Sequence, residues 1–159
     1  MRDCGRVSRK GPEEERFVAK LWKRLGPEIV SALPPKDAER AVGLNAHVRV
    51  YAYAPGQKFS RHYDDSEAIE RGKKCTGYTL LIYLSTVSLG GETKFYSDGG
   101  RLVASVAPVT GLALLHRHGQ SCLLHEGAKV EKVKGEGGDI ENVKYVFRSD
   151  VVFECEWWS

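Results

Sequence analysis

The chain has 159 residues, enough to bury a core without disulfides or structural zinc. Its 24 basic and 21 acidic residues leave a net charge of +3, too near neutral to point to nucleic acid or an anionic membrane as partner. Cys4, Cys75, Cys122 and Cys155 are scattered without CxxC pairing, which argues against a disulfide-stapled secreted domain, and the longest apolar runs, TLLIYL and GLALL, are too short for a membrane span. The polar start MRDCGRVSRKGPEEE has no apolar signal core, so an intracellular protein, cytoplasmic or nuclear, is expected.

In chain order, the sequence predicts a mobile start and then a helix. Pro12 and the acids Glu13, Glu14 and Glu15 suit a first helical turn, because proline is tolerated there and acids favour the positive end of the helix dipole. Phe17, Val18, Leu21, Trp22 and Leu25 repeat at helical spacing, and Gly26-Pro27 reads as the stop. A second short helix over 28–33 is cut by Pro34-Pro35, and a third is predicted over 37–42.

From Ala46 onward the texture changes. HVRVYAY, GYTLLIYL, ETKFY, LVASVA, LALLH, KVEKV and VKYVFR are short alternating or apolar runs separated by turn residues, as in an all-β sandwich or barrel. Gly135 to Gly138 reads as an exposed loop, and Trp157 and Trp158 as packing residues that close the last strand against the helices. The organisation is thus mainly β with an N-terminal helical lead-in: a segment 1–43 with one to three helices, then a β domain over 44–159 in one compact unit.

SRHYDDS, residues 60–66, holds the first candidate chemistry. If this stretch is extended, His62 and Asp64 project to one face while Tyr63 and Asp65 point elsewhere, so spacing prefers Asp64 over its neighbour. An imidazole and a carboxylate on one face are two members of a 2-His-1-carboxylate triad, which needs a further histidine from elsewhere. His47 begins a strand and reads as a surface or edge residue. His116 and His118 share a face in LLHRHGQ and offer an alternative HxH metal site, although its expected nearby glutamate is absent; a strand-end or turn role is the other reading. His125, after the apolar run of CLLHEG, suits the mouth of a sandwich.

The ordered set AVGLN, VRVYAYAPGQKFSRHYD, YTLLIYLS, GGETKFY, VAPVTGLALLH, CLLHEG and VKYVFRSDVVF resembles the prolyl 4-hydroxylase-like group of 2-oxoglutarate and Fe(II)-dependent dioxygenases over residues 41–153. The resemblance implies a double-stranded β-helix, or jelly roll, with iron at its open end. It matches His62, Asp64 and His125 to the metal ligands and Lys144 to the cation that pairs with the distal carboxylate of 2-oxoglutarate. It also matches Tyr53 to a tyrosine that hydrogen-bonds this cosubstrate, with Tyr83 a second candidate and Arg148, on the face of Lys144, a reserve for cosubstrate or substrate.

The implied reaction uses Fe(II), 2-oxoglutarate and dioxygen, with ascorbate as reductant, and hydroxylates a peptide, such as a prolyl residue, or a small molecule. The same chemistry on an alkylated base, or a non-catalytic metal-binding jelly roll, are the alternatives; nucleic acid is not an expected partner. Compared with its relatives, the segment GAKVEKVKGEGGDIENV lengthens the path from His125 to the basic residue, which reads as a loop insertion and leaves Lys134 as the competitor of Lys144.

Overall fold

The computed structural model describes residues 4–155. Trp157 and Trp158, expected to pack the last strand, lie outside them. Helix α1 spans Pro12–Ala32 and is followed by the single-turn α2, Pro35–Ala38. The strands are β1 (Gly5–Arg9), β2 (Ala41–Leu44), β3 (Val48–Tyr53), β4 (Phe59–His62), β5 (Ala68–Ile69), β6 (Lys74–Tyr83) and β7 (Thr93–Tyr96). They continue with β8 (Leu102–Val106), β9 (Ala113–Arg117), β10 (Leu124–Gly127), β11 (Val133–Gly135), β12 (Gly138–Ile140) and β13 (Lys144–Glu154).

Two antiparallel sheets carry the fold. The larger runs β1-β3-β13-β6-β5, with β2 on β13 and β9 on β6; the smaller runs β4-β10-β7-β8. From β3 to β13 the chain passes repeatedly from one sheet to the other, so neighbours in sequence face one another across the interior. This is the double-stranded β-helix expected, with a cavity lined from both sheets.

Strand alternation divides β13 into two faces. Lys144, Val146 and Arg148 line the cavity. Val151 and Phe153 join Leu80, Tyr78 and Leu44 in a core on the other side, where Val18, Ile29 and Leu33 of the helical segment pack. Phe147 meets Phe17 of α1 edge-on, with ring centroids 5.9 Å apart. The helix therefore covers the back of the large sheet and leaves the inner face to the site.

Several expectations need correction. The predicted stop at Gly26-Pro27 does not end α1, which continues through Pro27 to Ala32. An interior proline costs about 3 kcal/mol, but stopping there would withdraw Ile29 and Leu33 from the core, and that burial is worth roughly 1.5–3 kcal/mol for each side chain. The helix predicted over 37–42 is instead α2 followed by β2, because Val152 and Val151 of β13 offer Gly43 and Leu44 a strand to pair with. The expected mobile start contains β1, paired with β3 from Gly5↔Ala52 to Arg9↔Val48. Its residues are all exposed, so backbone hydrogen bonds hold it and no buried face marked it in the sequence.

KVEKV is not a strand up to its last residue, Val133, which opens β11. Its Val130 forms an isolated bridge to Gly90, and the lengthened segment folds as the hairpin β11–β12, turning at Glu136-Gly137. Asn142 anchors the hairpin base: it accepts from the Ser88 amide at 2.9 Å and donates to the carbonyls of Leu89 and Glu131 at 3.0 and 2.8 Å. Among the described residues no helix is long and apolar enough to cross a membrane.

Candidate metal centre

His62 ends β4 and His125 lies within β10, directly opposite it in an antiparallel pair. Register alone therefore brings together two imidazoles 63 positions apart in the chain, with ring centroids 4.2 Å apart. Asp64 follows β4 and is buried, while Asp65 is exposed, which separates the acidic pair as the spacing predicted. One donor atom from each of His62, Asp64 and His125 lies within 4.8 Å of the others.

The orientation of these groups fits a metal. Nδ1 of His62 donates to the Ser60 carbonyl and Nδ1 of His125 to the Leu123 carbonyl, each at 2.8 Å. A carbonyl only accepts, so both protons sit on Nδ1 and both Nε2 lone pairs are left to ligate. Those Nε2 atoms lie 3.6 and 3.7 Å from the Asp64 carboxylate. Oδ2 of Asp64 already accepts from Thr79 at 2.6 Å and from Arg148 at 3.0 Å, whereas Oδ1 has no hydrogen bond among the described residues. Burial alone would raise the Asp64 pKa, but Arg148, the Thr79 hydroxyl and the neighbouring imidazoles outweigh it and hold the carboxyl at about 2. Two imidazoles with free Nε2 lone pairs, a fixed carboxylate and an open cavity can hold a divalent ion such as Fe(II) and leave positions free.

At the other end of the cavity stands Lys144, 4% exposed. Its ammonium lies 5.5 Å from the ring centres of both Tyr53 and Tyr83 and has no carboxylate within ion-pairing distance among the described residues. Burial pulls its pKa down to about 8, which Glu92 only partly offsets. Gly127 and Gly91 flank it: a Cβ on either would make ordinary contact, 3.7 Å from Nζ and 3.6 Å from Cδ. Gly90 serves the backbone instead, since its φ is +77° and a Cβ there would lie 2.2 Å from the Lys129 carbonyl oxygen. Tyr83 is fully buried and shares a 2.6 Å hydrogen bond with Thr93. Burial raises the pKa of both Tyr53 and Tyr83, so their hydroxyls stay protonated.

The remaining candidates also have definite places. Arg148, the reserve for a cosubstrate, points to the metal end, where it pairs with Asp64 and lies 3.6 Å from Asp150. Lys134 is exposed on the hairpin and does not line the cavity. His47 accepts or donates one bond to Ser8 at 2.8 Å, away from the cavity. His116 and His118 stand at the end of β9, His116 within it and His118 just after it, and both are turned inward. His118 is buried, with Nε2 2.8 Å from the Thr79 hydroxyl, and so supports the group that holds Asp64. His116 lines the cavity, its ring 4.4 Å from that of His125. Their shared face was visible in the sequence; the pairing of His116 with Thr79 across β9 and β6 was not.

A polar and aromatic cluster lies on the small sheet beside the site. Arg61 lies over the Tyr96 ring at 3.8 Å, and Glu126 accepts from the Tyr96 hydroxyl while approaching Arg61 at 3.8 Å.

Comparison with known proteins gives a consistent assignment. No curated protein matches the chain in sequence. Among solved structures, the chain is similar to a viral collagen prolyl hydroxylase of Paramecium Bursaria Chlorella virus-1 in its 2OG complex, with 20% identity and a TM-score of 0.63 over 96% of this chain and 80% of that one. A Pseudomonas putida prolyl-4-hydroxylase aligns with 15% identity and a TM-score of 0.60, covering 97% and 75%. A Trichoplax adhaerens prolyl hydroxylase, in complex with a hypoxia inducible factor oxygen degradation domain peptide fragment, aligns with 17% identity and a TM-score of 0.63, covering 97% and 64%. At these identities the likeness is one of fold. The sequence profile of the 2OG-Fe(II) oxygenase superfamily matches residues 46–147, from the start of β3 into β13, and the chain belongs to that superfamily.

Proposed function

We propose that the protein is an Fe(II)- and 2-oxoglutarate-dependent dioxygenase that hydroxylates a prolyl residue in a peptide, with His62, Asp64 and His125 as the metal ligands and Lys144 as the cosubstrate anchor. The observation that carries this is the buried, unpaired Lys144 facing the His-Asp-His set along one cavity. A buried cation is costly without a partner, and a dicarboxylate supplies one at the required end.

Bound iron supplies the redox chemistry: dioxygen is reduced, 2-oxoglutarate loses carbon dioxide to become succinate, and one oxygen atom enters a substrate C–H bond. The chain's own residues supply positioning. Lys144 fixes the distal carboxylate, and the Tyr53 and Tyr83 hydroxyls, with Thr93 behind Tyr83, are the neutral donors beside it. Arg148 and Thr79 occupy Oδ2 of Asp64, which leaves Oδ1 as the oxygen that would meet a metal. Leu81 and Val146 form apolar wall between the two ends and limit water there. Ascorbate, if used, would act as reductant in turnover without substrate. The prolyl peptide is supported by the fold shared with three prolyl hydroxylases.

Anaerobic titration with Fe(II) and then 2-oxoglutarate tests the proposal. A weak visible charge-transfer band is expected in the wild type, absent in His62→Ala and Asp64→Ala. Lys144→Ala should bind metal normally and 2-oxoglutarate far more weakly; equal affinity in that variant would reject the anchor. A panel of proline-containing peptides, scored for succinate release and one added oxygen by mass spectrometry, tests the substrate class, and no hydroxylated peptide alongside substrate-free succinate release would reject the prolyl assignment.

A further inference from the structure

Beyond the three ligands, one more imidazole faces the same centre. Nε2 of His116 lies 3.7 Å from Oδ2 of Asp64, the same distance as Nε2 of His125. The His116 side chain is 9% exposed and lines the cavity. Its ring is held by packing, 4.4 Å from His125 and 5.4 Å from Phe95, and no hydrogen bond from the described residues tethers it. Nδ1 is buried with no hydrogen-bond partner among the described residues. His62 and His125, by contrast, are each tied to a backbone carbonyl through Nδ1.

These differences decide the role. With no acceptor near Nδ1 and the Asp64 carboxylate on the Nε2 side, the proton belongs on Nε2, pointing into the cavity. A nitrogen carrying that proton does not ligate; it donates. At 3.7 Å the Asp64 oxygen is too far to accept a proper hydrogen bond, so among the described residues the Nε2 proton has no acceptor.

We propose that His116 is a positioning residue which donates from Nε2 to the metal-bound carboxylate of the 2-oxo acid. This rests on the function proposed above and deepens it: Lys144 holds one end of the cosubstrate and His116 orients the other. No ligand exchange or proton transfer is involved, only a hydrogen bond that selects how the 2-oxo acid seats on the metal.

The test separates the two ends by using two 2-oxo acids. His116→Phe keeps an aromatic ring against Phe95 and removes both nitrogens. Loaded anaerobically with Fe(II), it should bind metal within about threefold of wild type and bind 2-oxoglutarate about tenfold or more weakly, the usual worth of a hydrogen bond to a charged acceptor. The loss should be equal for 2-oxobutyrate, which lacks the distal carboxylate, whereas Lys144→Ala should weaken 2-oxoglutarate alone. Unchanged 2-oxo acid affinity in His116→Phe overturns the proposal, and so does a tenfold loss of metal affinity, which would make His116 a ligand. A second measurement needs no variant to bind: in zinc-substituted wild type, the Nε2 proton resonance of His116, assigned by its loss in His116→Gln, should move downfield on adding 2-oxoglutarate, and a stationary resonance overturns the proposal. If metal-loaded wild type shows no saturable 2-oxoglutarate binding, the parent function fails and this role with it; normal wild-type binding beside an unaffected His116→Phe removes this role alone.

Discussion

Binding of 2-oxoglutarate should take up a proton, and the amount should follow Lys144. In the ligand-free cavity burial brings the Lys144 pKa from 10.5 down to about 8. The groups that face it are the Tyr53 ring from β3, the Tyr83 ring from β6 and, more distantly, Glu92 ahead of β7; both tyrosines are neutral, so among the described residues Glu92 is the charge that favours the ammonium. A bound carboxylate restores a full counter-charge and drives the pKa back up. The sign follows: the protonated lysine is the binding form, so affinity is highest below pH 8 and falls by up to about tenfold per unit above it. The neutral fraction before binding is roughly 0.1 at pH 7, 0.5 at pH 8 and 0.9 at pH 9, and these are the expected numbers of protons taken up per cosubstrate bound. Anaerobic calorimetry in buffers of different ionisation enthalpy measures that number directly. Lys144→Arg retains a cation that stays charged at every pH used, so its uptake should vanish even if its affinity drops. Uptake near zero at pH 9 in the wild type, or equal uptake in Lys144→Arg, would refute the assignment of Lys144 as the anchor.

Other perturbations report on the frame that holds the site. Arg148→Ala leaves the buried Asp64 carboxylate without its cation and is expected to destabilise the metal-free protein by about 3 kcal/mol in urea unfolding, with saturating Mn(II) recovering part of the loss; a change below about 1 kcal/mol would mean that the pair is effectively solvated. Gly77→Ala should cost roughly 1–3 kcal/mol, because its Cβ would stand 2.8 Å from the buried Phe153 ring, and thermal unfolding at wild-type midpoint would contradict that packing. Replacing hairpin residues 134–139 by a short glycine linker should change stability by less than about 1 kcal/mol, since loop-length entropy grows slowly. Asn142→Ala at the hairpin base should cost about 2 kcal/mol through the backbone groups it leaves unpaired.

What the sequence disclosed and what it hid divide along one physical line. Alternation within a strand is local, so the two faces of β13 and the separation of Asp64 from Asp65 were legible before any pairing was known. Helix ends were less so: Gly26-Pro27 is a strong local stop, but the stretch beyond it carries Ile29 and Leu33, and tertiary burial overrode the proline. β1 was hidden for the opposite reason, since an exposed edge strand held by backbone bonds needs no hydrophobic pattern.

The lengthened path to Lys144 shows why position along the chain is a weak guide to position in the site. The added residues pair with each other as β11 and β12, and the chain on either side is fixed independently. Val130, fully buried, bonds through its carbonyl to Gly56 at 2.7 Å and through its amide to Gln57 at 3.0 Å, while Asn142 ties the return to Ser88, Leu89 and Glu131. β13 then enters with Lys144 opposite Tyr53, a register set by the sheet and not by the length of the insertion. The same logic applies to the histidines. His47 and His116 each sit by a strand, yet only His116 lies opposite a cavity-lining residue, Thr79, and only it faces Asp64. Which of them belongs to the site is a property of strand pairing, and a single sequence records that only where a turn or a motif pins the register.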